Sequence, residues 1–227
     1  MKKTLDAHVQ LALVLILGCF GLALRLAAYR WAVDEKGLLI SGHPTVVLVW
    51  VVTALAAAAV LLPGKARHSG ASFAWVGSVL GAVGLILSLP GTFVPSGLGL
   101  VRSVGAVAAG GALLWEAVCR RKGTRPTVVV HGVLCLFLVL HLLTNYRIWS
   151  RHSQMLDFAF PLFASLCLLI TAYWSASRDL GKDKPRLGRW AALAAVYFCI
   201  TALSGTWDAG MYLGLGLWAA SRLEDTL

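Results

Sequence analysis

Pro44-Thr45-Val46-Val47-Leu48-Val49-Trp50-Val51-Val52-Thr53-Ala54-Leu55-Ala56-Ala57-Ala58-Ala59-Val60-Leu61-Leu62 is a run of 19 residues without a charge, closed by Pro63-Gly64. About 18 or more consecutive apolar residues read as a membrane span. Proline fits the first turn of a helix, where its missing N–H is not needed, so Pro44 opens the helix. The fold class follows from this stretch: an all-α, polytopic bundle of transmembrane helices.

Outward from this run the pattern repeats. Apolar segments occupy about 9–30, 71–89, 98–119, 126–146 and 155–177, punctuated by Pro90-Gly91 and Pro126. With 44–62 they make six spans. The tail, 188–221, is a single apolar stretch of 34 residues. As one helix it would be about 51 Å long, against a hydrocarbon core about 30 Å thick. Ser204-Gly205-Thr206-Trp207-Asp208-Ala209-Gly210 interrupts it with turn-forming residues. The expectation is a seventh span over 188–205 and a short returning segment over 209–221, either an eighth span or a re-entrant piece. A tilted seventh helix with an interfacial end is the rival. The chain divides into a six-helix core over 1–187 and a C-terminal membrane hairpin over 188–227.

Composition agrees with lipid as the solvent. Of 227 residues, 59% are hydrophobic and 13% charged, and the mean hydropathy is +0.78. Soluble domains carry about a quarter charged residues. The net charge of +10 does not indicate nucleic acid, because the cations sit in short clusters between apolar runs rather than along one soluble face. Lys2 and Lys3 precede a run too long for a signal peptide, so the first segment reads as a retained helix. Cys19, Cys119, Cys135, Cys167 and Cys199 lie in or beside apolar runs without metal-ligand spacing, and no disulfide is expected.

Cations also orient the chain. With the N-terminus in the cytoplasm, 13 lysines and arginines fall inside and 6 outside, leaving Arg222 to join the inner set if the last segment crosses. Short cytoplasmic loops carry this excess. The predicted location is a cell membrane, and the bias suits a bacterial plasma membrane.

An internal echo runs through the chain. Ala32-Val33-Asp34-Glu35-Lys36-Gly37 is answered by Ala117-Val118-Cys119-Arg120-Arg121-Lys122-Gly123. Pro44-Thr45-Val46-Val47 returns at 126–129, and Arg67-His68-Ser69 at 151–153. The order is kept, with offsets of 82 to 86 residues. Units 1–90 and 91–187 would each hold three spans, and an odd number inverts the second unit. Such inverted 3+3 repeats build many secondary transporters. Short matches among Ala, Val and Pro also arise by chance. Gly77, Gly81, Gly84 and Gly105 suit close helix packing, with helix 3 against helix 4.

The polar groups set at depth are the candidate ligand-binding or gating residues: Arg25, Arg102, Glu116, His131, Asn145 and Asp157. Each has a plainer reading. Arg25 can snorkel to the headgroups. Glu116 can pair with Arg120 four residues on. Arg102, Asn145 and Asp157 lie where interfacial salt bridges and aromatic belts form. His131 and His141 lie about 80° apart around one helix, so they do not form a haem face, and no cofactor or metal is expected. There is no GxSxG elbow, nucleotide loop or HExxH motif. Three classes stay open. The first is a small-solute, permease-like transporter, its arginines suiting an anion. The second is a non-transporting accessory or sensor subunit. A lipid-modifying enzyme built from loop residues is the third. Membrane lipids, an anionic small molecule, a membrane protein and a second copy of the chain are the expected partners; nucleic acid is not.

Overall fold

The computed structural model describes residues 5–34, 39–40, 42–65, 74–89, 97–149, 158–182, 184–204 and 208–225. Eight helices run through them: α1 (Ala7–Trp31), α2 (Pro44–Leu61), α3 (Ala74–Leu87), α4 (Gly97–Arg121), α5 (Val128–Trp149), α6 (Ala159–Asp179), α7 (Pro185–Ala202) and α8 (Ala209–Asp225). Successive helices alternate in direction. Contacts prove it: Gln10 near the start of α1 reaches the end of α2, and Glu116 near the end of α4 meets His131 at the start of α5. One end of the bundle therefore holds the N-terminus and is termed the near end; the other is the far end.

Local chemistry sets the helix limits. His43 caps α2 by accepting from the Thr45 amide, with Pro44 at the first helical position, and Pro185 opens α7 likewise. Gly123 (φ 69°) and Gly181 (φ 75°) turn the chain after α4 and α6 in the left-handed region, which a side chain disfavours. At the near end Leu5–Asp6 (β1) pairs in parallel with Gly64–Lys65 (β2). The buried Gln10 donates to the carbonyls of Ala59 (2.8 Å) and Val60 (3.1 Å) in the last turn of α2, supplementing the Leu62 amide that also reaches Ala59.

Five helices are long and apolar enough to cross a membrane: His8–Trp31, Pro44–Leu61, Gly99–Arg121, Val128–Arg147 and Ala159–Asp179. Seven were expected, so the count is corrected. α3 is apolar but has 14 residues, about 21 Å of helix. α8, with 17 residues, is also short, and α7 carries Arg186 and Arg189 in its 18 residues. Both bury much of their surface in protein, so their composition need not match lipid. In α8, Met211, Tyr212, Leu215, Trp218 and Ala219 are wholly buried and Arg222 nearly so. α7 buries Arg189, Tyr197 and Thr201. α7 and α8 pack together. The outer helices, by contrast, expose Ile16, Phe20, Leu55, Val104, Leu136 and Leu143. Apolar exposure on that scale belongs against lipid.

The most extensive helix contact is α3 with α8. A Cβ at Gly84 would sit 2.6 Å from the Gly210 carbonyl and 2.7 Å from the Gly214 Cα, and one at Gly77 would collide with Ser221. The two backbones therefore touch. Gly77, Gly81 and Gly84 do lie at a seam, but chiefly against α8 rather than against α4. Gly105 has ordinary room, with Phe137 3.5 Å away. The candidate repeat units do not share a packing pattern: α4, α5 and α6 pack in succession and α1 packs on α2, whereas α3 packs on α4 and α8 rather than on α2.

Candidate functional site: two polar clusters and a cleft

Three polar groupings stand out, and the sequence candidates divide among them. At the near end, Glu116 is completely buried. Its Oε1 accepts from Arg222 Nη1 (2.7 Å) and Arg120 Nε (3.0 Å), with His131 Nε2 at 3.1 Å. Its Oε2 accepts from Ser78 Oγ (3.1 Å) and Trp218 Nε1 (3.2 Å). Arg222 Nη2 also donates to Ser78 Oγ (2.8 Å). His131 turns its other nitrogen to Asp179, 2.8 Å away. Residues of α3, α4, α5 and α8 thus meet on one carboxylate, and α6 joins the cluster through Asp179 beside His131. Two carboxylates face two guanidiniums and an imidazole, a balance that suits ions held away from water.

At the far end, Arg102 on α4 forms an ion pair with Asp208 at the head of α8. Its Nη1 donates to Asn145 Oδ1 (3.1 Å). The Asn145 amide nitrogen is then a donor, and it lies 2.9 Å from His141 Nε2, which acts as acceptor. His141 Nε2 also lies 3.3 Å from the Tyr212 hydroxyl, and that hydroxyl, with one proton to give, stands 3.1 Å from Ser165 Oγ and 3.3 Å from the Pro161 carbonyl. The chain of contacts runs from the far end into the bundle. Between it and the Glu116 cluster, Leu113, Leu134, Leu138, Leu168 and Leu215 are all wholly buried. Leucine fills the middle.

The third grouping lies apart, among α1, α2 and α6. Arg25 donates from Nη1 to the Thr201 carbonyl (2.6 Å) and from Nη2 to the Tyr29 hydroxyl (2.8 Å). Its guanidinium lies 4.5 Å from the Phe160 ring centroid. It lines a small, open cleft with Tyr29, Trp50, Phe160 and apolar residues that include Val46 and Val49 of α2.

Of the six sequence candidates, Glu116 and His131 come together, Arg102 and Asn145 come together at the opposite end, and Arg25 stands in the cleft. Asp157 lies outside the described residues. Asp208, which the sequence places in the turn-forming break of the tail, is the partner of Arg102. Ser78, His141, Asp179, Tyr212, Trp218 and Arg222 were not singled out as site residues. The reason is common to several: their roles depend on α8 traversing the bundle interior, which its short apolar run does not declare. Among the described residues no three His, Cys, Asp or Glu side chains group to hold a metal ion.

Fold and site together define a polytopic α-helical membrane protein with charged clusters locked into both ends of its helix bundle. Comparison with protein families, curated proteins and solved structures finds no match to this chain.

Proposed function

We propose that the protein is a non-transporting accessory or sensor subunit of a membrane complex, oriented with its N-terminus in the cytoplasm. The observation that carries this reading is the saturation of Glu116. Five donors already satisfy that carboxylate, and wholly buried leucines occupy the layer between the two clusters. A solute passing through would have to break ion pairs at both ends and part a close-packed apolar layer, for which bound solute offers no evident compensation. In a bilayer such clusters hold helices in register.

The second reading, a small-solute permease, is favoured by the α3–α8 seam. Backbone contact between Gly84 and Gly214 is a surface along which a helix can slide without side chains in the way. Flux measurements in reconstituted vesicles separate the two. The accessory reading expects flux of chloride, phosphate, amino acids and protons equal to that of protein-free vesicles, and a stoichiometric partner retained after gentle extraction. Flux above background that disappears in Glu116→Gln or Arg102→Gln protein, with the fold intact, would overturn it in favour of transport.

A further inference from the structure

We propose that the Arg25 cleft is a lateral binding site for a membrane phospholipid with a net negative, phosphate-bearing headgroup. This goes beyond the accessory reading and would stand equally in a transporter. Position comes first. Arg25 lies six residues before the end of α1, about 9 Å in from it along the axis. That is the depth at which a headgroup meets acyl chains. Access comes second. α2 and α6 both pack on α7 but scarcely on each other; they meet through the rings of Trp50 and Phe160, 5.3 Å apart. The cleft therefore lies beside the seam between two lipid-facing helices, with the exposed Trp50 at its edge.

Chemistry comes third. Among the described lining residues the charge is Arg25's, and the rest are apolar or aromatic. The guanidinium is fixed by Thr201 and Tyr29 and laid on Phe160, so little freedom is lost when an anion meets it. A planar guanidinium suits a phosphate better than a point charge does. A choline or ethanolamine group gains nothing there, since the ring face that would hold a cation already carries one. Deeper along α6, the rings of Phe163 and Phe198 lie tilted to each other with centroids 5.3 Å apart, and Phe163 is exposed. These rings continue the cleft as a surface for an acyl chain. A soluble anion would leave that apolar surface unused.

Native mass spectrometry of the purified full chain, titrated with phosphatidylglycerol, phosphatidylcholine or inorganic phosphate, tests the proposal. The expected result is one phosphatidylglycerol retained about tenfold or more over phosphatidylcholine, the difference one charge-assisted contact supplies, with no binding of inorganic phosphate. Arg25→Gln should abolish the preference and Arg25→Lys should keep part of it. Trp50→Ala, which leaves the Arg25 hydrogen bonds in place, should weaken both lipids alike. If Arg25→Gln does not fold, the wild-type preference and the Trp50→Ala result still decide. Equal retention of the two lipids, an unchanged preference in a folded Arg25→Gln protein, or competition by inorganic phosphate would each overturn the assignment. None of these outcomes bears on whether solute crosses the bundle.

Discussion

Glu116 concentrates the energetics of the near end in one side chain. Replacing it with glutamine exchanges a two-oxygen acceptor for a single carbonyl and a pair of donors, facing Arg222, Arg120, His131 and Trp218. The guanidinium of Arg222, 1% exposed, would then lack its charge partner in the protein interior. Breaking a buried pair in this way costs about 3–5 kcal/mol. Glu116→Gln should therefore lower the unfolding free energy by that order in detergent micelles, measured by denaturant titration. Arg222→Met in the same background should recover part of the loss, because the stranded charge goes with it. A single variant as stable as the wild type would show that the cluster contributes no net stability. Sequence reading reaches Glu116, His131 and the i,i+4 partner Arg120, because a carboxylate within an apolar run demands a partner. It does not reach Arg222 or Asp179 as partners, since one carboxylate close to one arginine already looks satisfied and the other donors come from remote helices.

At the scale of the element, α3 and α8 form the tightest pair, and their contact rests on residues without side chains. A methyl at Gly84 would come within 2.6 Å of the Gly210 carbonyl and 2.7 Å of the Gly214 Cα, and neither backbone atom can move aside alone. Gly84→Val should therefore force the helices apart and cost about 1–3 kcal/mol or more, as overpacking does. Gly105→Ala is the control. Its nearest neighbour is 3.5 Å away, and alanine favours the helical state by roughly 0.5–1 kcal/mol over glycine. Melting both variants in the same detergent should move the two midpoints in opposite directions. Equal shifts would mean that the α3–α8 contact does not determine stability. The glycine spacing in α3 and its closeness to α4 are legible in the sequence, and the two helices do pack, with Gly81 facing Leu113. The still closer contact with α8 is not legible, because α8 has the shortest apolar run. Periodic hydrophobicity reports contact with lipid. A helix wrapped by other helices escapes that signal, which is why α7 and α8 were harder to delimit than α1, α2 or α5.

For the whole molecule, the alternation of eight helices turns the cation bias into a statement about ends. The turns after α4 and α6, with Lys122, Arg125 and Lys182, share the near end with Arg120, Arg178 and Arg222, while the far end carries Arg25, Arg30, Arg102 and Arg147 among the described residues. Because α8 returns to the near end, Arg222 joins the larger set. An excess of lysine and arginine marks the cytoplasmic side, so the near end should face the cytoplasm. Two exposed positions allow a direct measurement. Lys182 is solvent-exposed beside the Gly181 turn, and Gly42 is exposed at the far end, with nothing within 4 Å of the place a Cβ would occupy. In a background with the native cysteines replaced by alanine or serine, Gly42→Cys should react with a membrane-impermeant maleimide on intact cells. Lys182→Cys should stay unlabelled until the membrane is opened. Since α1 to α8 alternate, these two sites report the direction of every helix. The reverse labelling pattern would place the Glu116 cluster and its surrounding cations outside, against the charge bias. It would also move the Arg25 cleft into the cytoplasmic leaflet without changing its proposed chemistry. Orientation and lipid binding can therefore fail separately, and labelling measures the first alone.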